Sequence, residues 1–187
     1  MRTDRLVLRR FRDADRGPFA ELNADPRVME HFVRPLTRAE SDDFVDRIEE
    51  RFRKQGYSLW AVEVRGSDPF IGYVGLWDAT FEAPFTPTVE VGWRLAARAW
   101  GHGYATEAAE AAVDDGLVRV GVRDIVSFTA AANLRSRAVM ERIGMVRDPD
   151  GDFLHPAVPE DHPVRPHVLY RFPDLELRRR EAAGEVA

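Results

Sequence analysis

The sequence predicts a mixed α/β domain, one sheet flanked by helices. Three observations carry this. The 187 residues fit a single domain, with no repeat or linker to divide them. Segments that alternate apolar and polar residues are interleaved with segments at helical spacing, in an order that layers helices on one sheet. A stripe of small residues (Ala105, Ala108, Ala109, Ala112 and Gly116, then Leu117) runs down one predicted helix and lets it approach a sheet closely.

Residues 6–11 mix apolar and Arg positions, as expected of an edge strand. A helix is expected over 13–22 with Asp13 as its cap, broken at Asp25-Pro26. Thr37-Arg38-Ala39-Glu40 has capping-box spacing and opens a helix whose Phe44, Val45, Ile48 and Phe52 share a face; Gly56 ends it. Strands follow at 59–64, 70–77 and 89–95, with a turn at 66–69 and a Pro/Phe loop at 81–87. In the third, Val89, Val91, Trp93 and Leu95 share one face, and Glu90, Gly92 and Arg94 the other. A helix begins at Tyr104. Residues 125–130 form a strand, and Asn133 starts a helix closed by Gly144. Residues 147–166 read as an Asp-, Pro- and His-rich loop with a short strand near Phe153, and 167–172 as the last strand. The domain is taken as 1–175, leaving 176–187 as a polar tail or fraying helix.

Composition removes several chemistries. The chain has no Cys, which excludes a disulfide framework, a cysteine nucleophile and a thiolate zinc site. Its 44% hydrophobic and 32% charged residues are the balance of a globular chain. A net charge of -5 argues against general nucleic-acid binding, and Arg178-Arg179-Arg180 reads as a solvated run. No apolar run approaches the roughly 20 residues of a membrane span, and the charged N-terminus lacks a signal-peptide core. A cytoplasmic protein with neither nucleic-acid nor membrane partner is expected.

The most informative stretch is 89–108, where a strand enters a glycine loop that opens a helix. Unsatisfied amides and the helix dipole make such a junction an anion site. A Walker loop needs Gly-Lys-Ser/Thr, which is missing, and a dinucleotide fingerprint needs a third glycine where Thr106 stands.

Arg98-x-x-Gly101-His102-Gly103-Tyr104-Ala105 resembles the Arg/Gln-x-x-Gly-x-Gly/Ala signature of the GNAT superfamily of acyl-CoA-dependent N-acyltransferases. Asn133-x-x-Ser136 followed by Met140-Glu141-x-Ile143-Gly144-Met145 resembles that family's helix after its fifth strand, with Met145 where Phe is commoner. Thr3-Asp4-Arg5-Leu6-x-Leu8-Arg9 and His167-x-x-Tyr170 resemble the branch of ribosomal-protein N-terminal acetyltransferases (RimJ/RimL type). The resemblance spans residues 2–173.

It implies a mostly antiparallel sheet whose fourth and fifth strands splay apart, with acetyl-CoA as co-substrate and its pantetheine arm in the gap. It further implies backbone contacts from Val91, Trp93 and Leu95. Pyrophosphate contacts fall to Arg98, Gly101, His102, Gly103, Tyr104, Ala105 and Thr106, and Asn133 and Ser136 lie near the arm. Asn133 also reads as a helix cap, Ser136 as a solvated hydroxyl, Arg98 as a surface cation and Tyr104 as packing.

The implied reaction is direct attack of a primary amine, of a small molecule or a protein N-terminus, on a thioester. An ammonium must lose a proton first, and the oxyanion needs a donor. Glu90 is the candidate base, or else the partner of a nearby Arg. Gly92 would permit a bulge that presents an amide. Ser136, water or a Tyr would protonate the leaving thiolate. His155, His162 and His167 match no metal-ligand spacing, so no metal is expected; His155 is a candidate acceptor ligand or second base. Trp60, Trp77 and Trp93 read as core or cleft wall. The second reading is a non-catalytic CoA-binding sensor or interaction module on the same fold. The acceptor's identity and the choice between monomer and homodimer are left open.

Overall fold

The computed structural model describes residues 1–185. Seven strands form one sheet in the order β1-β2-β3-β4-β5-β7-β6. They are β1 (Leu6–Arg9), β2 (Leu59–Val64), β3 (Gly72–Ala79), β4 (Thr88–Leu95), β5 (Ile125–Ala130), β6 (Val146–Leu154) and β7 (Pro166–Arg171). Every pairing is antiparallel except β4 with β5. The helices are α1 (Arg16–Ala24), α2 (Arg38–Gln55), α3 (Tyr104–Asp115), α4 (Leu134–Arg142) and α5 (Leu175–Ala182). Among the described residues no helix is long and apolar enough to cross a membrane.

Two cores sandwich the sheet. On one face, α3 and α4 bury Ala108, Ala109, Ala112, Val113 and Met140 against Leu6, Val74, Val91 and Ile125. The small-residue stripe explains the close approach: a Cβ on Gly116 would stand 2.4 Å from Leu76 Cδ1. On the other face, α1 and α2 bury Phe19, Leu22, Val45, Ile48 and Phe52 against Leu59, Ala61 and Tyr73.

The capping box at Thr37 forms as read. Thr37 accepts from the Glu40 amide, and Glu40 accepts from the Thr37 amide at 2.8 Å. Gly56 ends α2 in the left-handed conformation at φ 77°. Asp13 does not cap α1. A 3₁₀ turn over Asp13–Asp15 precedes the helix, and the buried Asp15 accepts from the Arg12 amide at 2.7 Å and from both terminal nitrogens of Arg9. The acidic residue that mattered was the one Arg9 reaches from β1, which local spacing does not reveal.

The stretch 147–166 is also more ordered than expected. β6 covers its first half and pairs with β7, with a register shift between Asp148 and Phe153. That irregularity masks the two-residue alternation by which strands are recognised. Residues 175–182 are helical, and Arg178 of this helix pairs with Asp114 at the end of α3 (2.7 Å).

Candidate active site

β4 and β5 share only two registered pairs, Val89 with Ile125 and Glu90 with Val126. Beyond them the strands part. The buried Ser127 hydroxyl donates to the Val91 carbonyl at 2.8 Å, so the Val91 backbone faces β5. Strand alternation puts the backbones of Trp93 and Leu95 on that same edge. The Leu95 carbonyl accepts from the Trp100 indole at 2.8 Å. Trp93 has no registered partner across the gap, which leaves its amide and carbonyl as an unpaired sheet edge. Ser127 and Trp100 were missed in the sequence. The available signal was a polar Ser at an inward position of an otherwise apolar strand.

No bulge forms at Gly92, because the β3–β4 register runs unbroken through Gly75 and Gly92. Alternation turns the Gly92 amide toward β3, and the Val91 amide serves the ladder at the Glu90–Val126 pair, so the unpaired amide facing the gap is that of Trp93.

The glycine loop follows a 3₁₀ turn at Ala97–Ala99. Gly101 and Gly103 sit at φ 79° and 78°, a conformation that L side chains rarely adopt. Gly103 is the N-cap of α3 and offers no side chain, and among the described residues the amides of 101–106 have no hydrogen-bond partner. His102 and Tyr104 stack with ring centroids 5.4 Å apart. Arg5 clips the loop from the N-terminal side. Its guanidinium donates to the His102 carbonyl at 2.9 Å, lies 5.0 Å over the Tyr104 ring and pairs with Glu107. Arg98 is engaged elsewhere, donating to Asp68 at 2.8 Å and to the Phe70 carbonyl at 2.7 Å. From α4, Arg135 lies 4.6 Å over the Trp100 ring.

At the start of α4, Asn133 caps the helix by accepting from the Ser136 amide (3.1 Å). Its own amide group donates to Thr129 Oγ1 at 2.9 Å and to Ser136 Oγ at 3.0 Å. Ser136 Oγ is therefore an acceptor from Asn133, and its proton is free to be donated elsewhere. Tyr170 is held in the core between Arg137 and Glu141.

Paired residues share a face, so Glu90 and Gly92 lie on the side of Tyr73 and Trp77 from β3, with Val126 and Phe128 from β5. Glu90 has no ion-pair or hydrogen-bond partner among the described residues. Arg94, the cation nearest along its own strand, instead donates to Asn23 at 2.6 Å and lies 4.1 Å over the Phe32 ring. Glu90 keeps part of its surface open, but protein packs around the carboxyl, and this burial pushes it up to about 8. Above Gly92 the space is open: an added Cβ would meet only the Glu90 carboxyl, at 3.4 Å.

His155 and His167 come together with ring centroids 4.9 Å apart, while His162 is used in a turn, accepting from the Val164 amide. Burial lowers both paired imidazoles, His155 to about 4. Among the described residues no cluster of three His, Cys, Asp or Glu side chains suits a metal ion.

Comparison with known proteins bears on the family and the fold. The acetyltransferase (GNAT) domain family matches residues 5–146. The chain is 31% identical to the uncharacterized protein YkkB of Bacillus subtilis over 144 residues, covering 76% of this chain and 83% of that protein. An acetyltransferase structure from Agrobacterium tumefaciens superposes with a TM-score of 0.73 at 27% identity, covering 93% of this chain and 94% of the other. The structure of RimL, a ribosomal L7/L12 alpha-N-protein acetyltransferase in complex with coenzyme A, has a TM-score of 0.71 at 16% identity; coverage is 93% and 97%, and at that identity the likeness is one of fold.

Proposed function

The chain belongs to the GNAT acetyltransferase family and is an acyltransferase, and on that premise we propose that it moves the acetyl group of acetyl-CoA directly to a primary amine in a ternary complex, with Glu90 as the base. The observation that carries the reading is the placing of an unpartnered, buried carboxyl in the last registered pair before β4 and β5 separate.

The residues fit the co-substrate in two ways. The unpaired Trp93 edge suits an amide-bearing arm, which completes a split sheet as an added strand does. The free amides of 101–106 suit the pyrophosphate, with glycine at the two positions where the backbone must turn left-handed. Bound acetyl-CoA supplies a thioester, whose C–S bond breaks as the amine nitrogen forms its C–N bond. Glu90, once ionised, takes the proton that the nitrogen gives up. The unpaired Trp93 amide is the candidate donor to the developing oxyanion. Ser136, whose oxygen accepts from Asn133 and whose proton is left free, donates to the departing sulfur. The N-terminal Thr3–Arg9 motif and His167-x-x-Tyr170 support placing the chain beside the RimJ/RimL branch within the family.

Thermal unfolding tests the reading. At 100 times its dissociation constant, acetyl-CoA should stabilise the protein by about 2.7 kcal/mol, with no effect from NAD or ATP. Thiol release from acetyl-CoA in the presence of a mixed amine panel then tests catalysis. Stabilisation by NAD and none by acetyl-CoA overturns the proposal.

A further inference from the structure

We propose that the acceptor is a monoamine borne on an aromatic body, an arylalkylamine, held against a wall of rings beside Glu90. This rests on the acyltransferase reading above and narrows it to one class of substrate.

The wall is built by four separate segments. Phe128 of β5 lies two residues beyond Val126, on the face that Val126 shares with Glu90. Phe81 from the β3–β4 loop packs edge-on against it with centroids 5.5 Å apart, and Phe153 of β6 at 5.6 Å. Phe81 and Phe153 stack nearly parallel, 17° apart in plane. His155 lies 4.7 Å from Phe81, and His167 of β7 lies 5.5 Å from Phe153. Phe85 closes the back and is buried. The other five are each partly exposed.

Apolar rings gathered from four segments yet left open provide burial and edge-to-face contacts for another ring. The wall carries no charge at neutral pH, since the two imidazoles crowd one another away from water and stay deprotonated.

Most of the charged groups on the strands around it are already committed. Asp152 is held by Arg147 and accepts from the Leu169 amide; Asp148 is held by Arg171. Arg165 faces Glu160, and Arg94 is tied to Asn23. A polyamine needs several carboxylates along its length; on β3, β4, β5 and β7 this face carries Glu90 alone among the described residues, and Glu82 beside Phe81 is exposed to water. An acidic acceptor needs a free cation, and none lines the wall among the described residues. One amine beside Glu90 and one ring against the wall is the combination these side chains serve.

The test compares kcat/KM for 2-phenylethylamine, n-butylamine, spermidine and a short peptide with a free N-terminus, at saturating acetyl-CoA. The arylalkylamine should lead n-butylamine by about tenfold or more, the scale of discrimination that an apolar pocket affords. In Phe128→Ala, and separately in the gentler Phe153→Leu, that ratio should fall below about threefold. Retained stabilisation by acetyl-CoA establishes that each variant is folded. Equal or better use of n-butylamine, spermidine or the peptide overturns the proposal, as does a preference that survives in both variants. Turnover of no panel amine overturns it too, and acetyl-CoA stabilisation in that case leaves the acyltransferase reading standing.

Discussion

Glu90 and Val126 form the last registered pair before β4 and β5 separate. The carboxyl therefore stands at the point where a fully bonded sheet becomes an open edge. One wall there is the Val126 side chain, fully buried, and no cation offsets the burial. A carboxyl so placed is raised toward the range where it can accept a proton from an amine near neutral pH.

Glu90→Gln should lower kcat by 10²–10⁴-fold, the usual contribution of a general base, while the dissociation constant for acetyl-CoA changes little. In the parent, kcat/KM should rise through a limb near pH 8, where Glu90 ionises. In the variant that limb should be lost, leaving only the ionisation of the acceptor amine. An acceptor with an amine pKa above about 9.5 separates the two. A variant within about twofold of the parent across the profile would make Glu90 structural.

The same carboxyl has a consequence for stability. The unfolded chain releases this proton near its ordinary 4.5, the folded chain only near 8. Between those values the folded state binds more protons, so stability falls as pH rises. The penalty is absent below about 4.5 and complete above about 8. The melting temperature of Glu90→Gln should exceed the parent's by a margin that widens from pH 5 to pH 8 and then levels. A margin independent of pH would mean that the carboxyl ionises normally.

Local signals carried most of the fold. The capping box at Thr37, the left-handed glycine at 56 and the N-cap at Asn133 each act over three or four residues, and each formed as read. So did the strand at Ile125–Ala130, an apolar run between turn signals. What stayed hidden depends on contacts between different elements. Asp15 takes its role from Arg9, and Ser127 from the carbonyl of Val91, 36 positions away. The gathering of Phe81, Phe128, Phe153 and His155 needs β6, whose register shift conceals it. The arrival of Arg5 on the glycine loop likewise depends on β1 lying beneath α3.

The Arg9–Asp15 pair should prove a large stability element. Both side chains are nearly buried, at 10% and 4% exposure, and Arg9 also donates to Glu63 and to the Pro69 carbonyl. Asp15→Ala strands a buried guanidinium and an unpaired Arg12 amide. The expected loss in chemical denaturation is about 3–5 kcal/mol, as when one partner of a buried pair is removed. A loss under about 1 kcal/mol would show that water or Glu63 replaces the carboxylate.

Gly103→Val should abolish acetyl-CoA binding, and a second glycine separates the cause from simple strain. Gly103 and Gly121 share the same left-handed φ of 78°. A side chain at either must adopt a conformation costing roughly 1–2 kcal/mol, and a branched one is strained further. Neither is crowded: at Gly121 nothing lies within 4 Å of an added Cβ, and at Gly103 only the Arg5 guanidinium does, at 3.5 Å. Gly121 ends the helical segment after α3, at the far end of the helix from the glycine loop in sequence. Gly103→Val and Gly121→Val should therefore lose similar stability in the absence of ligand. They should differ with acetyl-CoA, because only the branch at 103 intrudes among the free amides of 101–106. Gly121→Val should keep the full thermal shift and Gly103→Val should show none. Equal shifts in the two would reduce the loop to a turn. Loss of the shift in both would mean that the left-handed backbone, wherever it is strained, controls binding through the pose of α3.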